Sequence, residues 1–466
     1  MIYEKSKSFL NRSPIKYLSK VLKYKVAICL WTFFFLRIAF CYIFGWKEIP
    51  LGTDGPGYNG YALAILNQTD WLTNPDFLGH HRPPGYPVFL AIIYFVFGDG
   101  NLLAVYFFQA IISTLTIFYI YKLAACFFDE RQSFMVLLWS GIYIYYFWYC
   151  STILRETLIY FLIIFSFFHL WKFLTDTKKK CNKNNFHLWK FIVAFTILLH
   201  TDARYLFYIP FISIIFVTYR NFWTGIKEYL FVTLILILLL VPWTIRNYVA
   251  YKGFVFINTR TVDLREIGKR NVSMNARIKN MINFANINIT KNQNYPSEKE
   301  REMIKKGLNP NKRSPDEIIA IKSNIYPAST FIKRKFYWFV ELWRPARFHD
   351  GYFPFPDARF QRRWSLRHNT LGILCYGVLL PFMFLGFYIL VKEKNKVWVF
   401  LTLPILLQTL LHVLQWGRNR YRIPIDCFVI IIAVFGFNYM FQKIRNRFIY
   451  RHRKQAKESV FFLDNL

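Results

Sequence analysis

The chain alternates long apolar runs with shorter polar stretches, and the run lengths carry the first message. A bilayer core of roughly 30 Å is crossed by about 20 apolar residues of helix. Ten stretches read as spans: 26–45, 101–123, 133–150, 156–174, 186–200, 204–219, 228–245, 370–391, 397–414 and 421–441. Two of them, 186–200 and 204–219, are short and suit a tilted or partly broken helix. The 84–97 stretch is apolar but only about 14 residues long, a length that suits a re-entrant or juxtamembrane helix better than a span. Backbone groups in lipid must be satisfied within their own segment, so helices are the expected spanning element. The expected fold is an all-α polytopic membrane protein with about ten transmembrane helices plus one re-entrant helix.

Charge orients these spans. Lys5, Lys7, Arg12, Lys16, Lys20, Lys23 and Lys25 precede the first span, and Lys178, Lys179, Lys180 and Lys183 fill a later short loop. Short basic loops stay cytoplasmic. All of them fall on one side if 84–97 does not cross, which places both termini in the cytoplasm and the 46–100 loop outside. The chain then divides into a basic cytoplasmic tail (1–25), an N-terminal transmembrane module (26–245) carrying that first outer loop, a large outer loop (246–368), C-terminal transmembrane helices (369–441) and a second basic tail (442–466). The outer loop holds twenty-five Lys/Arg against ten Asp/Glu. Long loops do not obey the charge rule, so this excess is no objection. Ser314-Pro315-Asp316-Glu317 has the composition of a helix start, and 314–343 mixes aromatic and basic residues as a surface-lying helix would. The 271–313 stretch, rich in Asn and Lys, reads as a solvated loop.

Composition then narrows the class. Of 466 residues, 55% are hydrophobic, 21% aromatic and 18% charged, with formal net charge +34 and mean hydropathy +0.23. The apolar content excludes disorder. Seven cysteines without a C-x-x-C pair exclude a disulfide scaffold. The basic excess could signal nucleic acid, but 51 Phe and 31 Tyr point to lipid.

Candidate chemistry gathers at the outer ends of the spans. Asp54 lies in a glycine-rich turn before Tyr58, where it could serve as a proton acceptor or simply cap the helix that starts near Tyr58. His80-His81-Arg82-Pro83-Pro84-Gly85-Tyr86-Pro87 opens the short apolar helix, with prolines at the tolerated helix start. Arg155-Glu156 heads the fourth span, and charges at membrane depth are usually paired or functional. Asp202 and Arg204, Arg246, and Arg418, Arg420 and Arg422 around Tyr421 sit at later outer turns. Each arginine alone is explicable as snorkelling. Together they suggest an anionic ligand, because the guanidinium fork suits phosphate. No phosphate-loop or H-E-x-x-H motif is present, and His80-His81 lacks helical metal-ligand spacing. A divalent cation on Asp54 and Glu156 is compatible with oxygen-ligand chemistry, but no cofactor is required by the sequence.

The order of these motifs resembles the GT-C membrane glycosyltransferases, in particular the branch of protein O-mannosyltransferases and the lipid A aminoarabinose transferase. The residues carrying the resemblance are Leu36-Arg37, Asp54-x3-Tyr58-x3-Ala62, Arg82-Pro-Pro-Gly-Tyr-Pro87, Glu156-Thr157, Pro242-Trp-Thr-Ile-Arg-Asn247 and Arg420-Tyr-Arg-Ile-Pro424. The resemblance implies a polyprenyl-phosphate sugar donor and inverting transfer on the outer side of a membrane, the bacterial inner membrane by expectation. It implies Asp54 and Glu156 as catalytic carboxylates and Arg82, Arg204, Arg246 and Arg420 as donor-phosphate contacts. Tyr58, His81, Tyr86, Arg155 and Tyr421 would line the substrate site. His81 stands where the aminoarabinose transferases have a glutamate, and Asp54 is followed by Gly55 where the mannosyltransferases have an acidic pair. The implied partners are the lipid-linked donor, membrane lipids and a lipid, glycan or protein acceptor, with no nucleic acid. Two other readings remain open at this point: a flippase of an anionic lipid-linked sugar, and a glycan polymerase or ligase using diphosphate-linked donors.

Overall fold

The computed structural model describes residues 14–45, 47–48, 54–67, 82–175, 181–251, 254–258, 335–336, 339–340, 342–345, 370–393, 396–414 and 419–463. Among them every regular element is helical. In chain order these are α1 (Pro14–Phe44), α2 (Gly55–Asn67), α3 (Gly85–Phe97), α4 (Leu102–Ala124), α5 (Glu130–Ile142), α6 (Ile144–Cys150) and α7 (Glu156–Thr175). They continue with α8 (Cys181–Thr201), α9 (Ile209–Tyr219), α10 (Phe222–Tyr251), α11 (Leu379–Lys392), α12 (Val397–Leu414) and α13 (Asp426–Leu463).

Seven of the described helices are long and apolar enough to span a bilayer, or eight if α5 and α6 form one bent span. The expected count was about ten. The stretches 186–200 and 204–219 account for the difference. The first lies within α8, whose N-terminal half is polar, and the second is divided between a 3-10 turn (Ala203–Tyr208) and the eleven-residue α9. The 133–150 stretch is broken by a 47° bend at Tyr143. Tyr143 adopts extended backbone there, and its hydroxyl donates to Asp426 Oδ2 at 2.6 Å. The helix therefore trades one turn of backbone bonding for a buried side-chain contact with α13. The apolar 84–97 stretch forms α3, only thirteen residues and too short to cross. Gly98 (φ +96°) ends it, with its N–H donating to Tyr94 O at 2.8 Å. That backbone favours glycine, and it turns the chain directly into α4.

Buried polar groups tie the bundle together. Arg37 is fully buried in α1, yet it donates to Ser113 Oγ (2.9 Å), Phe33 O (3.0 Å) and Gly141 O (3.2 Å) and lies over the Phe147 ring. One guanidinium thus joins α1, α4, α5 and α6, which is how a charge is tolerated at membrane depth. Helices α11 and α13 approach closely at Gly386 and Gly436. A Cβ on Gly436 would sit 2.7 Å from Gly386 N, so the pair packs backbone to backbone, as small residues permit in membranes. Most of 246–368, including nearly all of the expected 314–343 helix, lies outside the described residues, as do His80, His81 and Arg418.

Candidate active site

Asp54 stands at the head of α2, its carbonyl accepting from Tyr58 N at 3.2 Å. Its carboxylate turns to two arginines from distant parts of the chain. Arg82, just before Pro83-Pro84, donates to Oδ1 at 2.9 Å, and Arg420 donates to Oδ2 at 3.0 Å. Arg82 is steered from two sides. Its guanidinium lies 4.5 Å over the Tyr58 ring, and it passes so close to Gly57 that a Cβ there would meet Nε at 2.9 Å. Asp54 and Arg82 keep about a fifth of their side-chain surface accessible (21% and 20%), so a ligand can reach the pair. Burial alone would raise the Asp54 pKa. The charges of Arg420, Arg82 and Arg155 outweigh it and hold the carboxyl down at about 2.

Glu156 opens α7, where the positive end of the helix dipole favours a carboxylate. Arg420 Nε approaches its Oε1 at 3.9 Å, and the side chain is only 5% accessible. Oε2 is buried without a hydrogen-bond partner among the described residues. The preceding residue turns the other way. Arg155 donates to Thr201 O at 3.2 Å and pairs with Asp202 at 3.2 Å. Asp202 also caps the following 3-10 turn through Arg204 N and takes the Arg204 side chain, Nε donating to Oδ1 at 2.9 Å and to Oδ2 at 3.0 Å. Burial opposes ionisation of Asp202, but Arg155 and Arg204 lower its pKa well below the ordinary carboxylate range.

Tyr421 links the two charge groups. Arg204 lies 4.2 Å over its ring, and Arg420 donates to its hydroxyl at 3.2 Å. Four arginines (82, 155, 204, 420) and three carboxylates (54, 156, 202) therefore alternate in one connected network, with a formal excess of one positive charge. The turn Asn419–Tyr421 that presents Arg420 is fixed from α12. Gln408 Nε2 donates to Tyr421 O at 2.6 Å, Gln408 Oε1 accepts from Tyr208 OH at 2.7 Å, and the His412 ring stacks on Tyr421 at 4.6 Å. None of Gln408, His412 or Tyr208 stands out in the sequence. Each is a single polar or aromatic residue on an apolar face, and only the folded contact reveals its part.

The structure thus brings Asp54, Arg82, Glu156, Arg155, Arg204, Arg420, Tyr58 and Tyr421 together. Tyr86 supports them from beneath. It is fully buried, packs edge-on against Tyr58 and donates to Gln109 Oε1 at 3.1 Å. Arg246 is placed differently. It is buried, 5.2 Å over Trp243, and donates to Asn247 at 3.3 Å. Its neighbours Trp243, Thr244 and Asn247 hold the 254–258 segment, with Trp243 Nε1 donating to Ile257 O at 2.9 Å. That stretch reads as a clamp on the segment after α10. Among the described residues no group of three or more His, Cys, Asp or Glu side chains is arranged to hold a metal ion.

Residues 81–245 match the family model described as dolichyl-phosphate-mannose-protein mannosyltransferase. Among solved structures, the chain is similar to the Archaeoglobus fulgidus oligosaccharyltransferase, described in complex with zinc and sulfate. The TM-score is 0.52 at 14% identity, covering 90% of this chain and 50% of that one. This chain therefore spans about half the length of that protein. ArnT from Cupriavidus metallidurans, in the apo state, aligns with a TM-score of 0.41 at 12% identity over 91% of this chain and 77% of that one. No curated protein matches. The fold is similar to that of the archaeal oligosaccharyltransferase, and the family match over 81–245 agrees with the resemblance read from the sequence. The chain is an integral membrane protein with several apolar spanning helices.

Proposed function

We propose that this protein is an inverting membrane glycosyltransferase that moves a sugar from a polyprenyl-phosphate donor to an acceptor on the outer side of the membrane, the periplasmic face of a bacterial inner membrane. The observation that carries the reading is the accessible Asp54 carboxylate held between Arg82 and Arg420. It sets a base and a phosphate clamp side by side.

The donor is a phosphodiester with one negative charge, matched by the network's formal excess of one. The acceptor oxygen attacks the anomeric carbon and its proton passes to Asp54. The bond from that carbon to the phosphate oxygen breaks, and the electron pair leaves on polyprenyl phosphate, which gains a second negative charge. Arg82 and Arg420 face that developing charge, and Arg204 stands behind them across Tyr421. Prearranged cationic donors aimed at charge that grows in the transition state contribute on the order of 3–4 kcal/mol each. The same order of residues along the sequence, the 81–245 family match and the fold similarity support the reading.

Incubation of purified protein with polyprenyl-phosphate sugars and envelope acceptors tests it. Transfer predicts release of free polyprenyl phosphate together with a glycosylated acceptor. Movement of intact donor across vesicles without release would instead assign a flippase, and dependence on a diphosphate-linked donor a polymerase or ligase.

A further inference from the structure

Glu156 carries an unused hydrogen-bond acceptor beside Arg420 in the charge network. A buried carboxylate oxygen is rarely left without a donor, because desolvation without a hydrogen bond is costly. Here Oε2 is buried and has no hydrogen-bond partner among the described residues, while Oε1 faces Arg420 at 3.9 Å. The side chain cannot swing away easily. It starts α7 from a turn in which residues 151–155 are all buried. The guanidinium of Arg420 spans from Asp54 Oδ2 to Glu156 Oε1. The orphaned oxygen therefore belongs to a carboxylate that shares, with Asp54, the arginine proposed to hold donor phosphate. In a sugar phosphate, the groups next to the phosphate belong to the sugar ring.

The ligand's chemistry follows from the charges. A carboxylate oxygen can only accept, so the missing group is a hydrogen-bond donor. Among the described residues the network's formal excess of one positive charge is matched by a phosphodiester, and a neutral sugar keeps that balance. We infer that Glu156 is a specificity-determining contact to the donor sugar, its Oε2 accepting a hydrogen bond from a ring hydroxyl. The inference rests on the glycosyltransferase reading and goes beyond it, by assigning sugar recognition to Glu156 apart from phosphate recognition by the arginines. A site built to bond a substrate hydroxyl discriminates strongly against an analogue lacking it, because its buried acceptor is then left unpaired.

The test compares binding of undecaprenyl phosphate with that of undecaprenyl-phosphate glucose, mannose and galactose to the full-length protein in detergent or nanodiscs. In the wild type, at least one hexose-bearing donor binds more tightly than the bare lipid phosphate. Glu156→Gln lowers the ratio of that donor's affinity to the affinity for the bare lipid phosphate by about tenfold or more. An equal loss for both would overturn the inference and make Glu156 a support for Arg420. So would loss of a bound divalent ion on Glu156→Gln, which would make it a metal ligand. A second arm needs no variant. Deoxy analogues of the preferred hexose donor are offered to the wild type, and one position loses about tenfold while the others lose little. Uniform tolerance of all deoxy positions overturns the inference. Failure of the wild type to bind any of the four lipids would instead count against the glycosyltransferase reading itself.

Discussion

Arg420 reaches back across 366 residues of sequence to bond Asp54 Oδ2, while Arg82 holds Oδ1 of the same carboxylate. The two arginines proposed to take donor phosphate are thus already engaged by the proposed base. On that reading donor and Asp54 compete for them. Asp54→Asn should therefore abolish transfer, by about 100-fold or more, yet tighten binding of a non-titrating isoprenyl methyl phosphodiester by severalfold. Equilibrium binding checks this, and weaker binding by the variant would contradict the competition.

The same competition has a pH signature. With its pKa held at about 2, Asp54 in the free protein is ionised throughout any workable assay range. A depressed carboxyl stabilises the fold above its ordinary value near 3.8, and that contribution is lost only as pH falls through about 2. Donor phosphate draws Arg82 and Arg420 away and lets the carboxyl rise. The kcat profile, which reports the bound state, should then carry an acid limb at higher pH than the kcat/KM profile for donor. Coincident limbs in the two profiles would refute the handover.

Gly57 leaves the room that Arg82 occupies. Gly57→Val should push the guanidinium off Asp54 and Tyr58 and lower donor affinity, and because the atoms nearest its Cβ all belong to the Arg82 side chain the loss of thermal stability should be the smaller effect. Thermal melting beside donor binding separates the two effects. Equal loss in both would place the role of Gly57 in folding.

Arg422 and Asp426 form a different kind of pair. Both are fully buried, 3.0 Å apart, with Tyr143 bonded to Asp426 and the Tyr376 ring under Arg422. Arg422 also donates to Leu342 O and Arg344 O, so it ties residues 342–344 to the start of the last span. Removing one member leaves an uncompensated buried charge, a loss of about 3–5 kcal/mol. Arg422→Ala should lower the melting temperature sharply, whereas Arg82→Ala, with a fifth of its side chain accessible, should lower donor binding with a much smaller thermal shift.

What the sequence disclosed follows from the reach of each signal. Apolar run length is local, so α4, α7, α10 and α12 could be read directly, and the thirteen residues of α3 were evidently too few to cross. Breaks set by tertiary contact were hidden. Tyr143, at the bend, bonds Asp426, 283 residues away. Outer arginines were visible as residues unexpected on that side, which singled out Arg82, Arg155, Arg204 and Arg420. Their partners were not visible, because pairing is set by packing. Arg155 and Arg204 turn to Asp202, while Arg246, similar in sequence context, turns to Trp243 and Asn247. Gln408 and Asp426 gave no signal at all, since a lone polar residue in a span is as readily a helix–helix contact.

The most direct single measurement is release of free undecaprenyl phosphate from an undecaprenyl-phosphate sugar by purified wild-type protein and by Asp54→Asn, both shown to bind the donor. Release by the wild type with an acceptor present, and none by Asp54→Asn, is the expected result. Equal release from the two proteins would remove Asp54 from the chemistry and with it the proposed pairing of base and phosphate clamp.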